Sequence, residues 1–351
     1  MASANSTIAI KPELFPEPTS TIIKVLFVLV SMFGILANLK VIYIISRFKD
    51  IRTPLTILLM NLSIADLVAG LSTYFMVFVD VSRTSIRGKW ANVLCTFTTA
   101  MILFFIASCV SVLTLSAISF SRLIVIKYPM KPNLKLTTRR SIAFAVTSWF
   151  VSLLLLAPNA TTVRYEEDTG FCYRYYPPWM NTTLYSAITI FVGTVLPVSL
   201  MTMTYIVAWR HLWKRRAPDA TPQLSLRPRK KIMLMLGLLI LTYILCWTPF
   251  YVYWTMVSAL QFYDDTTRDK INLFRFYRIA ALFALCNSAL DPIIYTLSGE
   301  QFKNALCRLK RSNRVKTLRI APGVKYTGKN NKNVLFDKRF ALQREAETKE
   351  L

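Results

Sequence analysis

Seven long apolar runs alternate with short polar stretches along the chain of 351 residues. Four of the runs contain no charged residue and cover residues 91–121, 141–163, 175–209 and 232–263. The other three each carry one charge and cover residues 25–46 (Lys40), 55–79 (Asp66) and 279–299 (Asp291). A helix needs about 20 residues to cross a bilayer, and lipid offers no partner to an unpaired backbone group. The pattern therefore predicts an all-α membrane protein, a seven-transmembrane helix bundle.

Composition and charge support that prediction. The chain is 54% hydrophobic, with a mean hydropathy of +0.41. Its net charge of +25 comes from Lys and Arg in alternate loops: residues 47–54, 127–140, 210–231 and the tail beyond 299. Such an excess marks the cytoplasmic side of a membrane protein. We therefore expect an extracellular N-terminus, a cytoplasmic C-terminus, contact with membrane lipid, and no nucleic-acid partner.

Three sequons for N-glycosylation fall on the predicted extracellular side, at Asn5, Asn159 and Asn181. Each motif alone is weak, but their common side agrees with the charge pattern. The predicted domains are an extracellular segment (1–20), the bundle (21–299), a short amphipathic cytoplasmic helix (300–311) and a disordered tail (312–351). In the amphipathic helix, Cys307 is a candidate for palmitoylation, and an ordinary reduced cysteine fits equally well.

The runs carry motifs at regular places. The first three spans contain GILANLKVIY with Asn38, NLSIADL with Asp66, and SFSRLIVIKYP with Arg122. The later spans contain Trp149, Pro197 followed eight residues on by Tyr205, CWTPF at 246–250 and NSALDPIIY at 287–295. In this order the motifs resemble the rhodopsin-like (class A) G-protein-coupled receptors. The resemblance implies a receptor in the plasma membrane that passes an extracellular signal to heterotrimeric G proteins.

The resemblance also implies which residues switch and couple the receptor. These are Arg122, Tyr205, Trp247, Pro249, Pro292 and Tyr295. Arg122 would engage the G protein, and Trp247 would act as a lever between the ligand and the helix bend at Pro249. A disulfide between Cys95 and Cys172 is implied too, although Cys95 follows Trp90 by five residues where the family usually has seven.

Five polar residues match the positions that line a sodium-binding chamber in this family: Asp66, Ser111, Asn287, Ser288 and Asp291. Oxygen ligands suit a hard cation, and two nearby carboxylates favour either a cation or a shared proton. A hydrogen-bonded water network is the alternative. Beyond this allosteric sodium ion, no metal or cofactor is expected.

One position departs from the family pattern. Ser121 stands where an acid normally pairs with the conserved arginine and holds it in the resting state. We therefore expect raised basal activity, and weak coupling as in a decoy receptor is the alternative. The tail has few hydroxyl residues, so strong arrestin recruitment is not evident, and arrestin is kept only as a further candidate partner.

The ligand is the least constrained prediction. Phe104 replaces the aspartate of amine receptors, and Leu285 replaces the retinal-binding lysine of opsins. The residues expected to bind the ligand are Phe104, Phe105, Trp247, Phe250, Tyr251, Trp254, Arg275 and Arg278. An aromatic pocket beneath a charged rim fits a peptide, such as a neuropeptide. A lipid or other small hydrophobic ligand fits the same wall.

Other protein classes fit less well. A transporter would show ionisable residues along a path or inverted repeats, whereas buried charge here is nearly confined to Asp66 and Asp291. Lys40 is an isolated charged residue within the first span, and we expect its side chain to extend toward the cytoplasmic surface. An enzyme is not expected, because the only histidine of the chain is His211, at a basic helix end.

Overall fold

The computed structural model describes residues 17–79, 81–174, 177–214, 226–258 and 267–298. The predictions for Asn5, the amphipathic helix at 300–311, Cys307 and the tail lie outside these ranges. The helices are α1 (Glu17–Arg47), α2 (Pro54–Phe78), α3 (Gly88–Thr98), α4 (Ile102–Lys127), α5 (Thr138–Ala160), α6 (Thr182–Ile190), α7 (Leu196–Lys214), α8 (Leu226–Ser258) and α9 (Thr267–Ser298). Two short strands, β1 (Val163–Tyr165) and β2 (Cys172–Arg174), lie between α5 and α6.

Seven stretches of the described chain are helical, long and apolar enough to cross a membrane. They are Thr21–Arg47, Pro54–Phe78, Gly88–Lys127, Pro132–Ala160, Thr182–Trp213, Met233–Met256 and Arg275–Thr296. The predicted seven-helix architecture is therefore confirmed. Many large apolar side chains, such as Leu36, Phe78 and Leu245, are exposed on the outside of the bundle. Polar side chains such as Asn38, Asp66 and Asp291 are buried inside it, as expected when the surrounding solvent is lipid.

The third span consists of two helices rather than one. α3 ends at Thr98 and α4 begins at Ile102. Between them Met101 adopts a left-handed conformation with φ of 48°, which is uncommon for a residue other than glycine. The backbone nitrogens of Thr99 and Ala100 both donate to the oxygen of Cys95, at 2.8 and 3.2 Å. The uninterrupted apolar run 91–121 thus hides a break near the end of the span at which α3 begins.

The fifth span also contains an irregular turn. A π-helical turn, Phe191–Val195, joins α6 to α7. Pro197 explains it, since a proline ring clashes with the carbonyl four residues earlier, here that of Gly193. The widened turn brings Gly193 against α5, where an added Cβ would lie 3.6 Å from Leu155 Cδ2.

A β-hairpin covers α3, the first helix of the third span. β1 and β2 pair antiparallel, with Tyr165 opposite Cys172. A disulfide joins Cys172 to Cys95 in α3, so the predicted pairing is confirmed. Asn92 of α3 adds a second tie, because its side-chain oxygen accepts a hydrogen bond from the nitrogen of Tyr165 at 2.7 Å.

Candidate functional site

A small cavity lies among the third, fourth, fifth and sixth spans, toward the hairpin end of the bundle. Its volume is about 70 Å³, far less than the ~300–1,000 Å³ of a pocket that encloses a whole drug-sized ligand. The sixth span supplies one aromatic wall, formed by Tyr243, Trp247, Phe250, Tyr251 and Trp254. The cavity has room for the tip of one side chain rather than for a complete peptide.

Ring contacts tie this wall together and connect it to the third span. Trp247 stacks on Phe104 and Tyr243, with ring centroids 6.0 and 5.9 Å apart. Phe105 packs on Phe250 at 5.2 Å. Such pairs add stability beyond the area they bury. A group that displaces one ring therefore moves its neighbours on both spans.

A chain of hydroxyl groups crosses the same cavity. Thr194, in the π turn, is hydrogen-bonded to the hydroxyl of Tyr251, and that hydroxyl lies 3.3 Å from the hydroxyl of Tyr243. The π turn explains the first contact, because it rotates Thr194 toward the sixth span. These hydroxyls give an otherwise apolar cavity a polar edge that can orient a ligand.

Five of the eight predicted ligand residues line the cavity, and three do not. Phe104 is buried beneath Trp247, and neither Arg275 nor Arg278 reaches the lining. The Nε of Arg275 is nonetheless buried with no hydrogen-bond partner. The lining residues that sequence analysis missed include Cys109, Asn159, Tyr185, Thr189, Gly193 and Thr194. The sequence signal nearest to Gly193 and Thr194 is Pro197, which indicates an irregular helix but not which residues face the cavity.

Asn159 bears on one of the predicted glycans. It is only 4% exposed and lies inside α5, lining the cavity. Its Nδ2, the atom to which a glycan would be attached, donates to the backbone oxygen of Ala100 at 3.4 Å. A glycan at Asn159 would require this buried side chain to leave its position and give up that hydrogen bond, and glycosylation there stays a prediction. Asn181 is exposed at the start of α6, and its glycosylation stays a prediction.

The five residues predicted to bind sodium are all buried in the middle of the bundle. Ser111 donates to Asp66 Oδ1 at 3.1 Å, and Asn287 Nδ2 donates to Asp291 Oδ2 at 3.4 Å.

Three buried oxygen atoms in this chamber have no hydrogen-bond partner: Asp66 Oδ2, Asn287 Oδ1 and Asp291 Oδ1. Unpaired buried acceptors are costly, and oxygen atoms of this kind are the ligands that a hard cation prefers. Within the described residues, no group of three His, Cys, Asp or Glu side chains could hold a transition metal. The donor set therefore fits a sodium ion, whose presence remains a prediction.

A second polar cluster lies next to the chamber. Tyr295 of the seventh span is hydrogen-bonded to Ser63 of the second span at 2.7 Å and donates to Asn38 Oδ1 of the first at 3.3 Å. Asn38 Nδ2 in turn donates to the backbone oxygen of Ser288 at 3.0 Å. Three spans are thereby held together through one tyrosine hydroxyl.

Arg122 lies at the opposite end of the third span from the cavity. Its Nε is buried and has no hydrogen-bond partner, and no described residue forms an ion pair with it. The neighbouring Ser121 is itself nearly buried and supplies no negative charge. The arginine is therefore held by packing alone within the described part of the chain.

Tyr205 of the fifth span fits against Gly237 of the sixth. A Cβ added to Gly237 would lie 2.9 Å from Tyr205 Oη, closer than real carbon atoms approach. The glycine thus leaves room for the phenol between two spans that belong to the predicted switch. The sequence predicts Tyr205 as a switch residue but carries no signal for its partner Gly237.

Residues 37–295 match the family model described as "7 transmembrane receptor (rhodopsin family)". Neuropeptide receptor 22 of Caenorhabditis elegans is 27% identical over 289 residues, which are 77% of this chain and 65% of that receptor. Neuromedin-U receptor 2 of Mus musculus is 26% identical over 303 residues, 81% of this chain and 73% of that receptor. Growth hormone secretagogue receptor type 1 of Homo sapiens is 26% identical over 318 residues, which are 85% of this chain and 82% of that receptor.

Proposed function

The chain belongs to the rhodopsin family of seven-transmembrane receptors, and from this premise we propose that it binds a peptide and signals through heterotrimeric G proteins. It is a receptor and not an enzyme. The observation that carries the proposed ligand class is the size and lining of the cavity. A cavity of about 70 Å³ suits a single side-chain anchor, while the rest of a peptide stays above it.

The chemistry of the surroundings supports the same ligand class. An aromatic or aliphatic side chain would bury against Phe105, Phe250 and Trp254, as anchors do in peptide recognition. The unpartnered Nε of Arg275 is available to a carboxylate of the ligand. The similar receptors are named for neuropeptides and neuromedin-U, which favours a peptide over a lipid.

The cavity is connected to the coupling end through the sixth span. An occupied cavity would press on Trp247, which lies two residues before the bend at Pro249. A shift at this bend would move the part of α8 that precedes Pro249 and contains Gly237. The phenol of Tyr205 in α7, which packs against Gly237, would then move as well. Movement there would open the end of the bundle where Arg122 lies.

Raised basal activity is part of the proposal. The described residues give Arg122 no acidic partner, so the resting state lacks one contact that would stabilise it relative to the active state. We also place the receptor in the plasma membrane, with the Arg122 end in the cytoplasm and the hairpin end outside. Weak coupling, as in a decoy receptor, is the competing outcome.

The test is a peptide-library screen on cells that express the chain, with G-protein activation as the readout. We expect a peptide hit whose response is lost in Gly193→Val, since this variant fills the cavity. Gly34→Ala serves as the control, because it adds a methyl group far from the cavity, at 3.5 Å from Ala289. A response to lipids instead of peptides would overturn the ligand class, and silence toward both would favour the decoy.

A further inference from the structure

The first span carries a polar stripe on its outer face, which is turned away from the bundle. Lys40, Tyr43 and Arg47 are all exposed there. Their spacing of three and four residues places them on one face of α1. The opposite face of the same turns is buried, with Val41, Ile44 and Ile45 at 3% exposure or less.

The position of Lys40 along the span makes the stripe unusual. Lys40 lies seven residues before Arg47, the last residue of α1, and thus about 10 Å inside the end of the helix. Apolar residues surround it, with Leu36 and Leu39 exposed to 63% and 44%. A charged residue that faces lipid within a span is costly and marks a functional site by default.

The structure gives these three side chains no protein partner within the described residues. None of them takes part in an ion pair or a side-chain hydrogen bond there, although each carries hydrogen-bond donors and two are cationic. Lys and Arg can extend their apolar stems along the helix toward the membrane surface. All three donors can then reach the level of lipid phosphate groups.

We infer that Lys40, Tyr43 and Arg47 form a binding site for the phosphate headgroup of an anionic phospholipid in the leaflet at the Arg122 end of the bundle. This leaflet is the cytoplasmic one under the orientation proposed above, and so the assignment of the leaflet rests on that proposal. Two cations and a phenol match the charge and acceptor oxygens of such a headgroup. The exposed Leu36 and Leu39 offer its acyl chain an apolar surface one turn further in.

The test uses the full-length chain in nanodiscs of phosphatidylcholine mixed with phosphatidylserine, followed by native mass spectrometry of the retained lipid. We expect phosphatidylserine to be retained preferentially. Lys40→Leu and Arg47→Gln should each reduce this preference about fivefold, because a basic residue near an anionic leaflet contributes about 1 kcal/mol. Lys40→Arg should preserve it.

Two matched controls distinguish a specific lipid-binding site from the general attraction of any basic residue to an anionic leaflet. Lys24→Leu removes an exposed lysine from the outer end of the same helix, and Lys49→Gln removes one from the adjacent loop. Equal losses in the controls and in Lys40→Leu would overturn the proposal. So would a concentration-dependent dimer that Lys40→Leu abolishes, since the face would then be a contact between two copies.

These readouts require neither a peptide ligand nor a G protein. Both leaflets of the nanodisc have the same composition, so lipid retention does not depend on which end of the bundle is cytoplasmic. A failure of the lipid site is therefore distinguishable from a failure of the proposed receptor function.

Discussion

Asn159 of the fourth span donates a hydrogen bond from its Nδ2 to the backbone oxygen of Ala100, 3.4 Å away at the break in the third span. This contact satisfies a carbonyl that the interrupted helix leaves without a helical partner. It also places Asn159 in the wall of the cavity. A residue whose sequon suggests a glycan thus pairs with the backbone at the break in the third span.

Glycan mapping can test this relationship without altering Asn159. Thr161→Val destroys the sequon at an exposed position, and Thr183→Val does the same for Asn181. We expect Thr161→Val to leave the glycan mass unchanged in glycosidase-treated gels, and Thr183→Val to reduce it. A loss of mass in Thr161→Val would show that Asn159 is glycosylated and is not buried as described.

The left-handed conformation of Met101 predicts that glycine is more stable than alanine at this position, the reverse of their order in a helix. In an ordinary helix alanine is more stable than glycine by about 1 kcal/mol. At a positive φ, glycine avoids a steric penalty of about 1–2 kcal/mol. Met101→Gly should therefore unfold at a higher temperature than Met101→Ala in detergent.

Ala107→Gly provides the control for this prediction, since Ala107 is fully buried within α4. This substitution should lower the unfolding temperature in the usual way. If Met101→Ala proves more stable than Met101→Gly, the third span is a continuous helix at this point.

The close fit between Tyr205 and Gly237 predicts that substitutions at these two positions change the stability of the protein non-additively. Gly237→Ala should gain none of the helix stabilisation expected for alanine, because its Cβ would displace the phenol. Tyr205→Phe removes the closest atom, so the double-mutant cycle should show a coupling of about 0.5–3 kcal/mol. Unfolding temperatures of the four proteins measure it.

Gly34→Ala is a matched control for this cycle, since its new Cβ would make only ordinary contacts at 3.5 Å. It should combine additively with Tyr205→Phe. Additive behaviour of Gly237→Ala as well would mean that the two switch spans are further apart than the structure places them.

The chamber around Asp66 predicts sodium-dependent stability. We expect the unfolding temperature of the receptor to be higher in sodium chloride than in potassium chloride of equal concentration. A ligand at 100 times its dissociation constant adds about 2.7 kcal/mol. Asp66→Asn should abolish the difference, because it removes one carboxylate from the donor set. Equal stability of the wild-type protein in both salts would favour a water network instead.

Much of the fold can be predicted from the sequence, because an apolar run in lipid must form a helix to satisfy its own backbone hydrogen bonds. The seven spans and the Cys95–Cys172 disulfide are confirmed on that basis and on the family resemblance. The break at Met101 could not be predicted, since Thr99-Ala100-Met101 contains neither glycine nor proline. The burial of Asn159 could not be predicted either, because a three-residue sequon carries no information about burial.

The candidate site is predictable to a similar extent. Five of the eight residues predicted to bind the ligand line the cavity. They are Phe105 of the third span and Trp247, Phe250, Tyr251 and Trp254 of the sixth. The contribution of the fifth span depends on a π turn, which rotates Gly193 and Thr194 inward. No local pattern reports that rotation, although Pro197 indicates an irregular helix nearby.

The measurement that tests the central claim most directly is G-protein activation without added ligand in cells expressing the wild-type chain, Arg122→Ala and Ser121→Asp. Surface expression of the three proteins must be matched. We predict a wild-type signal above that of mock-transfected cells, its loss in Arg122→Ala and its reduction in Ser121→Asp, which restores an acid beside the arginine. Signals from wild type and Arg122→Ala that both equal the mock signal would contradict raised basal coupling through Arg122.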